Sequence, residues 1–173
     1  MDVILVDEND VPVGTMEKIE AHQKALLHRA FSIFIFNTNG EMLLHKRANN
    51  KYHSGGLWTN ACCSHQQPGE DNLAAAEKRL REEMGITTAL VKAFAFIYTA
   101  PFDNGLTEYE FDHVFIGIYD GEIAADKEEV SDYCYTSTEK IKSTIEKQPE
   151  IYTAWFKIAF PKVMEYLAAP SFN

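Results

Sequence analysis

A single helix set between segments of strand character constrains the fold more than any other feature of the sequence. Asp71 or Asn72 can cap its start, and Gly85 is a typical residue for its end. Apolar residues recur between these points at helical spacing: Leu73, Ala76, Leu80 and Met84. The segment therefore predicts one amphipathic helix near the middle of the chain.

Runs rich in β-branched and aromatic residues predict the strands. Residues 30–36 and 41–47 flank the turn sequence NTNG, which is typical of a hairpin. Residues 57–63 predict a short strand after Gly55-Gly56. Longer strands are predicted at about residues 90–99 and 108–119.

The C-terminal third predicts helices. Ser137 or Thr138 can cap the first, and YTAWFKIAFPKVMEYL carries an apolar face that we expect Pro161 to break. Helices around a mixed sheet predict an α/β protein with an α/β/α sandwich. A chain of 173 residues is long enough for one core and short for two, so we expect one domain over residues 1–173.

Charge and cysteine content exclude several functions. The net charge of −10 argues against binding to nucleic acid or to an anionic membrane, because both require a positive surface. An anionic substrate would need locally placed cations or metal ions. The chain has three cysteines, no apolar run of 18 residues and no signal-peptide pattern. We therefore expect a cytoplasmic protein with reduced thiols that is a monomer or a weak dimer.

The stretch NACCSH, residues 60–65, places two thiols next to each other. In an extended segment alternate residues share a face, so Cys63 would face with His65 and Cys62 with Ser64. Both thiols can also be read as small buried apolar groups, which is common for free cysteine. A nearby metal or cation would stabilise a thiolate and make Cys63 the reactive one.

The same alternation places Glu108, Glu110 and Asp112 on one face of a strand. Such acids usually form the solvated face of an edge strand. If histidines converge on them, imidazole and carboxylate together form a metal site. The candidates are His22, His28 and His65, whereas His45, His53 and His113 have no comparable placement. The spacing of His22 and His28 requires a loop or a bent segment.

The predicted helix also matches a known motif. Residues 64–86 resemble a Nudix box, G-x5-E-x7-R-E-U-x-E-E-x-G-U with U aliphatic, at Glu70, Leu80, Glu82, Glu83, Gly85 and Ile86. Ser64 replaces its glycine, and Lys78 and Arg79 replace its Arg-Glu pair. Taken alone, Arg79 and Glu83 would be a surface ion pair. The missing carboxylate at position 79 is one that Nudix hydrolases use for their metals, which argues against hydrolysis.

Residues 58–65, WTNACCSH, match the WTN-x-x-C-x-H signature of the type I isopentenyl-diphosphate Δ-isomerases, a family with the Nudix fold. The sequence is similar to that family from EKIEAHQKALLHRAFS through KRANNK and TEYEFDHVF to Trp155. The resemblance implies a divalent metal, Mg²⁺, Mn²⁺ or Zn²⁺, held by His22, His28, His65, Glu108 and Glu110. It also implies Mg²⁺ between Glu83 and the substrate diphosphate, with basic residues around the phosphates: Lys18, Arg47, Lys51 and Arg79.

The implied reaction is the interconversion of isopentenyl diphosphate and dimethylallyl diphosphate in isoprenoid biosynthesis. An alkene is a very poor base, so its protonation to a tertiary carbocation needs a well-placed acid in a water-poor pocket. By resemblance, Glu110 delivers the proton, with Tyr98 in its hydrogen-bonding circuit, and Cys63 removes a proton from C2. Trp155 would lie against the cation.

Two other functions remain open from the sequence. A Nudix hydrolase of a diphosphate substrate would release phosphate, but it would need the carboxylate that Arg79 replaces. A silent domain would bind metal and diphosphate without turnover, and its properties would not depend on Cys63.

Overall fold

The computed structural model describes residues 1–170 and folds them into a mixed sheet with helices on both faces. The strands are β1 Asp2–Val6, β2 Pro12–Glu17, β3 His28–Phe36, β4 Met42–Arg47, β5 Trp58–Thr59, β6 Cys62–Ser64, β7 Leu90–Pro101, β8 Thr107–Ile118 and β9 Val130–Thr136. The α-helices are α1 Lys18–Gln23, α2 Asn72–Met84, α3 Thr138–Lys147 and α4 Ala154–Ala168. The predicted domain over residues 1–173 includes 171–173, which lie outside the described residues.

Strand β3 is the centre of the sheet. It runs parallel to β8 over nine residue pairs, from His28 opposite Glu110 to Phe36 opposite Ile118. On its other edge it pairs antiparallel with β6. Strand β7 extends the sheet antiparallel to β8, and β4 pairs with both β5 and β9. The predicted mixed sheet is confirmed.

The expected hairpin of residues 30–36 and 41–47 forms only at its turn. The two strands pair at Phe36 and Met42, and Gly40 adopts the positive φ of 78° that the turn requires. Beyond that pair, β3 takes β6 and β8 as partners, and β4 takes β5 and β9. The hairpin prediction was wrong in extent, because a turn sequence fixes the connection but not the partners of long apolar strands.

The segment predicted as one strand over residues 57–63 is two. Asn60 separates β5 from β6, and its side-chain nitrogen donates to two backbone carbonyls, those of Ile33 and Cys62. This buried amide turns the chain from β4 to β3. The break places Cys63 beside Ser32 in β3.

The sheet has an apolar core on each face. On one face α2 packs through Ala76, Leu80 and Met84 against residues that include Phe31. On the other face α3 and α4 cover Phe34 with residues that include Phe156. The predicted α/β/α sandwich is confirmed.

The helix ends follow the sequence signals. Asp71 caps α2, Gly85 ends it at a φ of 68°, and Ser137 caps α3. Pro161 does not break the last helix as predicted, because α4 is continuous from Ala154 to Ala168. Pro161 lies on the exposed side, while the opposite face of α4 is buried against the sheet. Within residues 1–170, no helix has both the length and the apolar character needed to cross a membrane.

We expect Asp71→Ala to lower the free energy of unfolding by about 1 kcal/mol. The reason is that the Asp71 carboxylate accepts from the backbone N–H of Ala74 at 3.0 Å, and this N–H would lose its partner. Urea unfolding measures the change. Glu77→Ala, on the exposed face of the same helix, is the matched control and should leave stability nearly unchanged. Equal stability of Asp71→Ala and wild type would contradict the capping role.

Candidate active site

The register of β3, β8 and β7 brings the predicted carboxylates and their partners together. Glu110 lies opposite His28 on one side and opposite Tyr98 on the other. Glu108, Glu110 and Asp112 are all buried, at 6%, 5% and 1% exposure. Strand β8 lies between two strands, so the reading of these acids as the solvated face of an edge strand is wrong.

Three imidazoles converge on Glu110. The Nε2 atoms of His65, His28 and His22 lie 2.9, 3.5 and 3.9 Å from its Oε1. One ligand atom from each of these four residues lies within 4.8 Å of all the others. His22 lies in the last turn of α1 and His28 begins β3, and Ala25 between them has a φ of 50°. The bent segment that the spacing predicted is present.

The hydrogen bonds of two of these histidines prepare them to bind a metal. Nδ1 of His22 donates to the carbonyl of Lys18 at 2.6 Å, and Nδ1 of His28 donates to the carbonyl of Leu26 at 2.8 Å. A neutral imidazole that donates from Nδ1 has a free lone pair on Nε2. Both Nε2 atoms are buried and have no hydrogen-bond partner among the described residues. Imidazoles oriented in this way, with a carboxylate, suit a divalent metal.

Electrostatics favour metal-binding forms of His22, His65 and Glu110. Burial lowers the pKa of His22 and His65, which keeps both imidazoles neutral near pH 7. Burial alone would raise the pKa of Glu110, but the close contacts with His28 and His65 outweigh it and hold that pKa well below its usual value. The same contact with Glu110 raises the pKa of His28 against the effect of burial. Glu110 is therefore an ionised carboxylate among imidazoles.

Tyr98 joins the two glutamates of this cluster. Its hydroxyl lies 2.6 Å from Oε2 of Glu110 and 2.8 Å from Oε2 of Glu108. Burial, followed by the charge of Glu110, raises the pKa of Glu108. The phenol has one proton to donate, so it can serve either carboxylate but not both at once.

Cys63 lies beside this cluster and is held by side chains of the sheet. Its Sγ is 3.2 Å from Oδ1 of Asn60 and 3.5 Å from Oγ of Ser32. Ser32 donates in turn to Asp112 at 2.7 Å. Burial, followed by the Asp112 carboxyl, raises the pKa of the Cys63 thiol well above its usual value. The thiol form of Cys63 is therefore favoured over the thiolate.

Cys62 faces the opposite way, as the alternation predicted. It is fully buried in the core under α2, whereas Cys63 lines the cavity of the site. Its Sγ lies 3.4 Å from Oε2 of Glu83. The alternative interpretation, in which a free cysteine is a small buried apolar group, therefore describes Cys62 but not Cys63.

Glu83 and Arg79 form a second charged centre on α2. The Arg79 guanidinium lies 2.5 Å from Oε1 of Glu83 and 2.8 Å from Oε2 of Glu82. Glu83 is buried, and burial raises its pKa in spite of Arg79. Both residues line the cavity, so this is not the surface ion pair that the helix spacing alone would predict.

One cavity of about 130 Å³ connects these groups. Cys63, Glu110 and Trp155 line it, and so do the four predicted basic residues: Lys18, Arg47, Lys51 and Arg79. Four cationic side chains are gathered at this cavity although the net charge of the chain is −10 and four glutamates, Glu83, Glu108, Glu110 and Glu129, also line it. Their placement makes the cavity suitable for an anion.

The basic residues are tied to the cavity wall. The Lys18 ammonium lies 4.6 Å from the centre of the Tyr52 ring, and Lys51 pairs with Glu129. Burial, followed by Lys51, lowers the pKa of Lys18. An anion bound between these two ammonium groups would relieve their repulsion.

Trp155 forms an aromatic wall of the cavity. It is the second residue of α4, which Thr153 caps, and it is 3% exposed. The Arg47 guanidinium lies 5.0 Å from the centre of its ring. The Trp155 side chain is therefore fixed between a helix start and a cation.

Sequence reasoning missed several residues of this site. Ser32 and Asn60, which hold the Cys63 thiol, carry no spacing signal, although Asn60 belongs to the WTN match. His53 is not among the histidines that the sequence predicts for the site, yet its Nε2 lies 3.3 Å from Oε1 of Glu108. It comes from the loop between β4 and β5, where periodicity gives no information.

Comparison with known proteins identifies the family. The NUDIX domain model matches residues 26–156. The isopentenyl-diphosphate Delta-isomerase of Pectobacterium atrosepticum is 49% identical over 168 residues, which cover 97% of this chain and 94% of that protein. The chain belongs to the isopentenyl-diphosphate Delta-isomerase family. Isopentenyl-diphosphate Delta-isomerase 2 of Photorhabdus laumondii is 52% identical over 90% of this chain and 88% of its own length.

Solved structures support the fold. The DR0079 protein of Deinococcus radiodurans has a TM-score of 0.78 at 17% identity, over 94% of this chain and 98% of that one. The MutT protein of Methanosarcina mazei has a TM-score of 0.68 at 21% identity, over 83% of this chain and 96% of that one. The chain therefore has the Nudix fold, and divalent metals are the usual cofactors of that family.

We expect the stability of the protein to fall between pH 6.5 and pH 4 partly because of His45, which holds the backbone beside the two cysteines. Burial lowers the pKa of His45 from 6.5 to about 4, and its Nδ1 donates to the carbonyl of Ala61 at 2.9 Å. The unfolded state takes up a proton below pH 6.5, whereas the folded state does so only below about pH 4. His45 thus costs up to about 3 kcal/mol of stability across this window.

Urea unfolding of wild type and His45→Asn at several pH values measures this contribution. The asparagine amide can still donate to Ala61 but does not titrate. The other histidines act equally in both proteins, so the variant should show the weaker pH dependence. Identical pH slopes in the two proteins would contradict the assignment.

Proposed function

We propose that the chain interconverts isopentenyl diphosphate and dimethylallyl diphosphate, with Glu110 and Cys63 as the two proton-transfer groups. The observation that carries this proposal is that both groups line one cavity whose wall also holds four cationic side chains. Cations hold the diphosphate, and the carboxyl and the thiol act on the five-carbon chain. A hydrolase has no use for such a thiol.

Glu110 is the acid that protonates the terminal methylene. Tyr98, 2.6 Å from its Oε2, holds the carboxyl while the proton leaves from or returns to it. His22, His28, His65, Glu108 and Glu110 would hold Mg²⁺, Mn²⁺ or Zn²⁺. When bound, this metal supplies a positive charge that orients the carboxylate and compensates the buried acids.

Cys63 exchanges the proton at C2 on the other face of the substrate. The raised pKa of Cys63 and the lowered pKa of Glu110 favour a thiol and a carboxylate as the resting forms. This is the state from which dimethylallyl diphosphate reacts: the thiol protonates C2 and the carboxylate takes a proton from the methyl group. The opposite direction starts with the proton on Glu110 and a Cys63 thiolate, and it moves one proton from Glu110 to Cys63. Proton exchange of both groups with solvent then restores the starting state for the next turnover.

Lys18, Arg47, Lys51 and Arg79 bind the diphosphate. Glu83 would hold Mg²⁺ against the diphosphate. Arg79, 2.5 Å from Glu83, brings a cation to the position of the Nudix box where hydrolases carry a carboxylate. Binding energy from the diphosphate fixes the small alkene in place, because it is remote from the reacting carbons. This placement of Arg79 disfavours the hydrolase alternative.

Trp155 faces the carbocation. Its buried indole offers a π surface, and contact with a cation is worth about 0.5 to 2 kcal/mol. This is a small part of the barrier, so Trp155 assists rather than drives the reaction. The predicted cytoplasmic location and the monomer or weak dimer stay predictions.

We expect Cys63→Ala to lower turnover of isopentenyl diphosphate by about a thousandfold or more, because the C2 proton loses its acceptor. Cys62→Ala is the matched control, since it removes the neighbouring thiol from the other face and should keep most of the activity. Dimethylallyl diphosphate formation measures both. A normal rate in Cys63→Ala would refute the role, and loss in Cys62→Ala alone would refute the assignment of faces.

A further inference from the structure

His53 is a buried polar residue at the site that the proposed reaction does not use. It lies in the loop between β4 and β5, residues 48–57, and is 7% exposed. Its ring stacks on Phe102 at 4.2 Å with an interplanar angle of 12°, and its edge meets the Trp155 ring at 5.7 Å. These contacts hold the imidazole beside the metal-binding cluster.

The two ring nitrogens of His53 have different partners. Nε2 lies 3.3 Å from Oε1 of Glu108, and Nδ1 lies 3.1 Å from Oγ of Ser54. A carboxylate only accepts, so Nε2 carries the proton and Nδ1 accepts from the Ser54 hydroxyl. His22 and His28 have the opposite tautomer, with Nε2 free for a metal. At 3.3 Å, Nε2 of His53 is close enough to donate to Glu108 but is not aligned for a hydrogen bond, so His53 is placed as a partner of Glu108 rather than as a metal ligand.

The backbone around His53 is held in an uncommon conformation. Ser54 has a φ of 54°, which costs free energy in a residue other than glycine. A Cβ on Gly55 would lie 2.6 Å from the carbonyl oxygen of Asn49, so the turn has no room for a side chain there. Such strain persists only where the surroundings fix it.

Two hydrogen bonds fix this loop to the rest of the site. Arg47 donates to the carbonyl of His53 at 3.2 Å, and Asn104, in the turn between β7 and β8, donates to the carbonyl of Tyr52 at 2.9 Å. The segment that carries Lys51 is thus connected to the strand that carries Glu108. Within this loop, the His53 side chain is the one that contacts the Glu108 carboxylate.

We propose that His53 is a positioning residue of the metal site, which orients the Glu108 carboxylate through Nε2. The Tyr98 hydroxyl lies 2.8 Å from the other oxygen of Glu108, so His53 and Tyr98 contact opposite oxygens of that carboxylate. This inference rests on the proposed function in one respect only, the assignment of Glu108 as a metal ligand. Groups that orient a ligand in this way contribute about 10- to 100-fold to metal affinity.

The test is titration of the metal-free, full-length protein with Co²⁺, which reports both affinity and, through its visible absorption, ligand geometry. We expect His53→Phe, which keeps a flat ring against Phe102 but has no donor, to weaken Co²⁺ binding about tenfold or more and to change the spectrum. His53→Asn, whose amide is too short to reach Glu108, should lose as much. His53→Gln, whose amide can reach Glu108, should bind nearly as wild type does.

Phe102→Leu is the control for packing, because it removes the stacked ring and leaves the imidazole. It should bind Co²⁺ with near wild-type affinity. The inference is overturned if His53→Phe and His53→Asn bind Co²⁺ like wild type, if Phe102→Leu loses as much affinity as they do, or if wild type binds no Co²⁺. A different result would separate the two proposals. If the His53 variants lose Co²⁺ affinity as expected but the wild-type protein leaves isopentenyl diphosphate unchanged, the proposed function is refuted and this inference stands.

Discussion

The parallel pairing of β3 with β8 is the constraint on which the rest of the site depends. It sets His28 opposite Glu110 and Ala30 opposite Asp112, and a shift of one residue would turn these side chains to the other face of the sheet. The same strand β3 carries Ser32, which contacts Cys63 through the pairing of β3 with β6. The position of the His/Glu cluster around Glu110 and the position of the Cys63 thiol are therefore both set by strand β3.

Burying three carboxylates on one strand is costly, and the molecule offsets this cost locally. Burial and the charge of Glu110 raise the pKa of Asp112 well above its usual value, which favours a neutral acid there. Glu110 is surrounded by three imidazoles, and Glu108 by Tyr98 and His53. The arrangement concentrates one ionised carboxylate among groups suited to a divalent cation.

Much of this site could be predicted from the sequence, because its signals are local. Alternation along a strand separated Cys63 from Cys62, and helix spacing with caps located α2 and Gly85. The predicted site residues line the cavity, except His22 and His28, which contact Glu110 without lining the cavity. Their individual chemical roles stay predictions.

The errors came from tertiary contacts, which local sequence rules do not describe. A turn sequence could not show that β3 and β4 part after one residue pair, and a proline rule could not show that packing keeps α4 continuous through Pro161. His53 was missed because its role depends on a loop that folds over Glu108, and no periodicity describes a loop.

The central claim, protonation of an alkene at a carbon atom, is tested most directly in D₂O. The purified protein is incubated with Mg²⁺ and isopentenyl diphosphate, and the product is followed by NMR. The account predicts dimethylallyl diphosphate with deuterium in the methyl group formed from the terminal methylene. Released phosphate, or a substrate that stays unchanged, would contradict it.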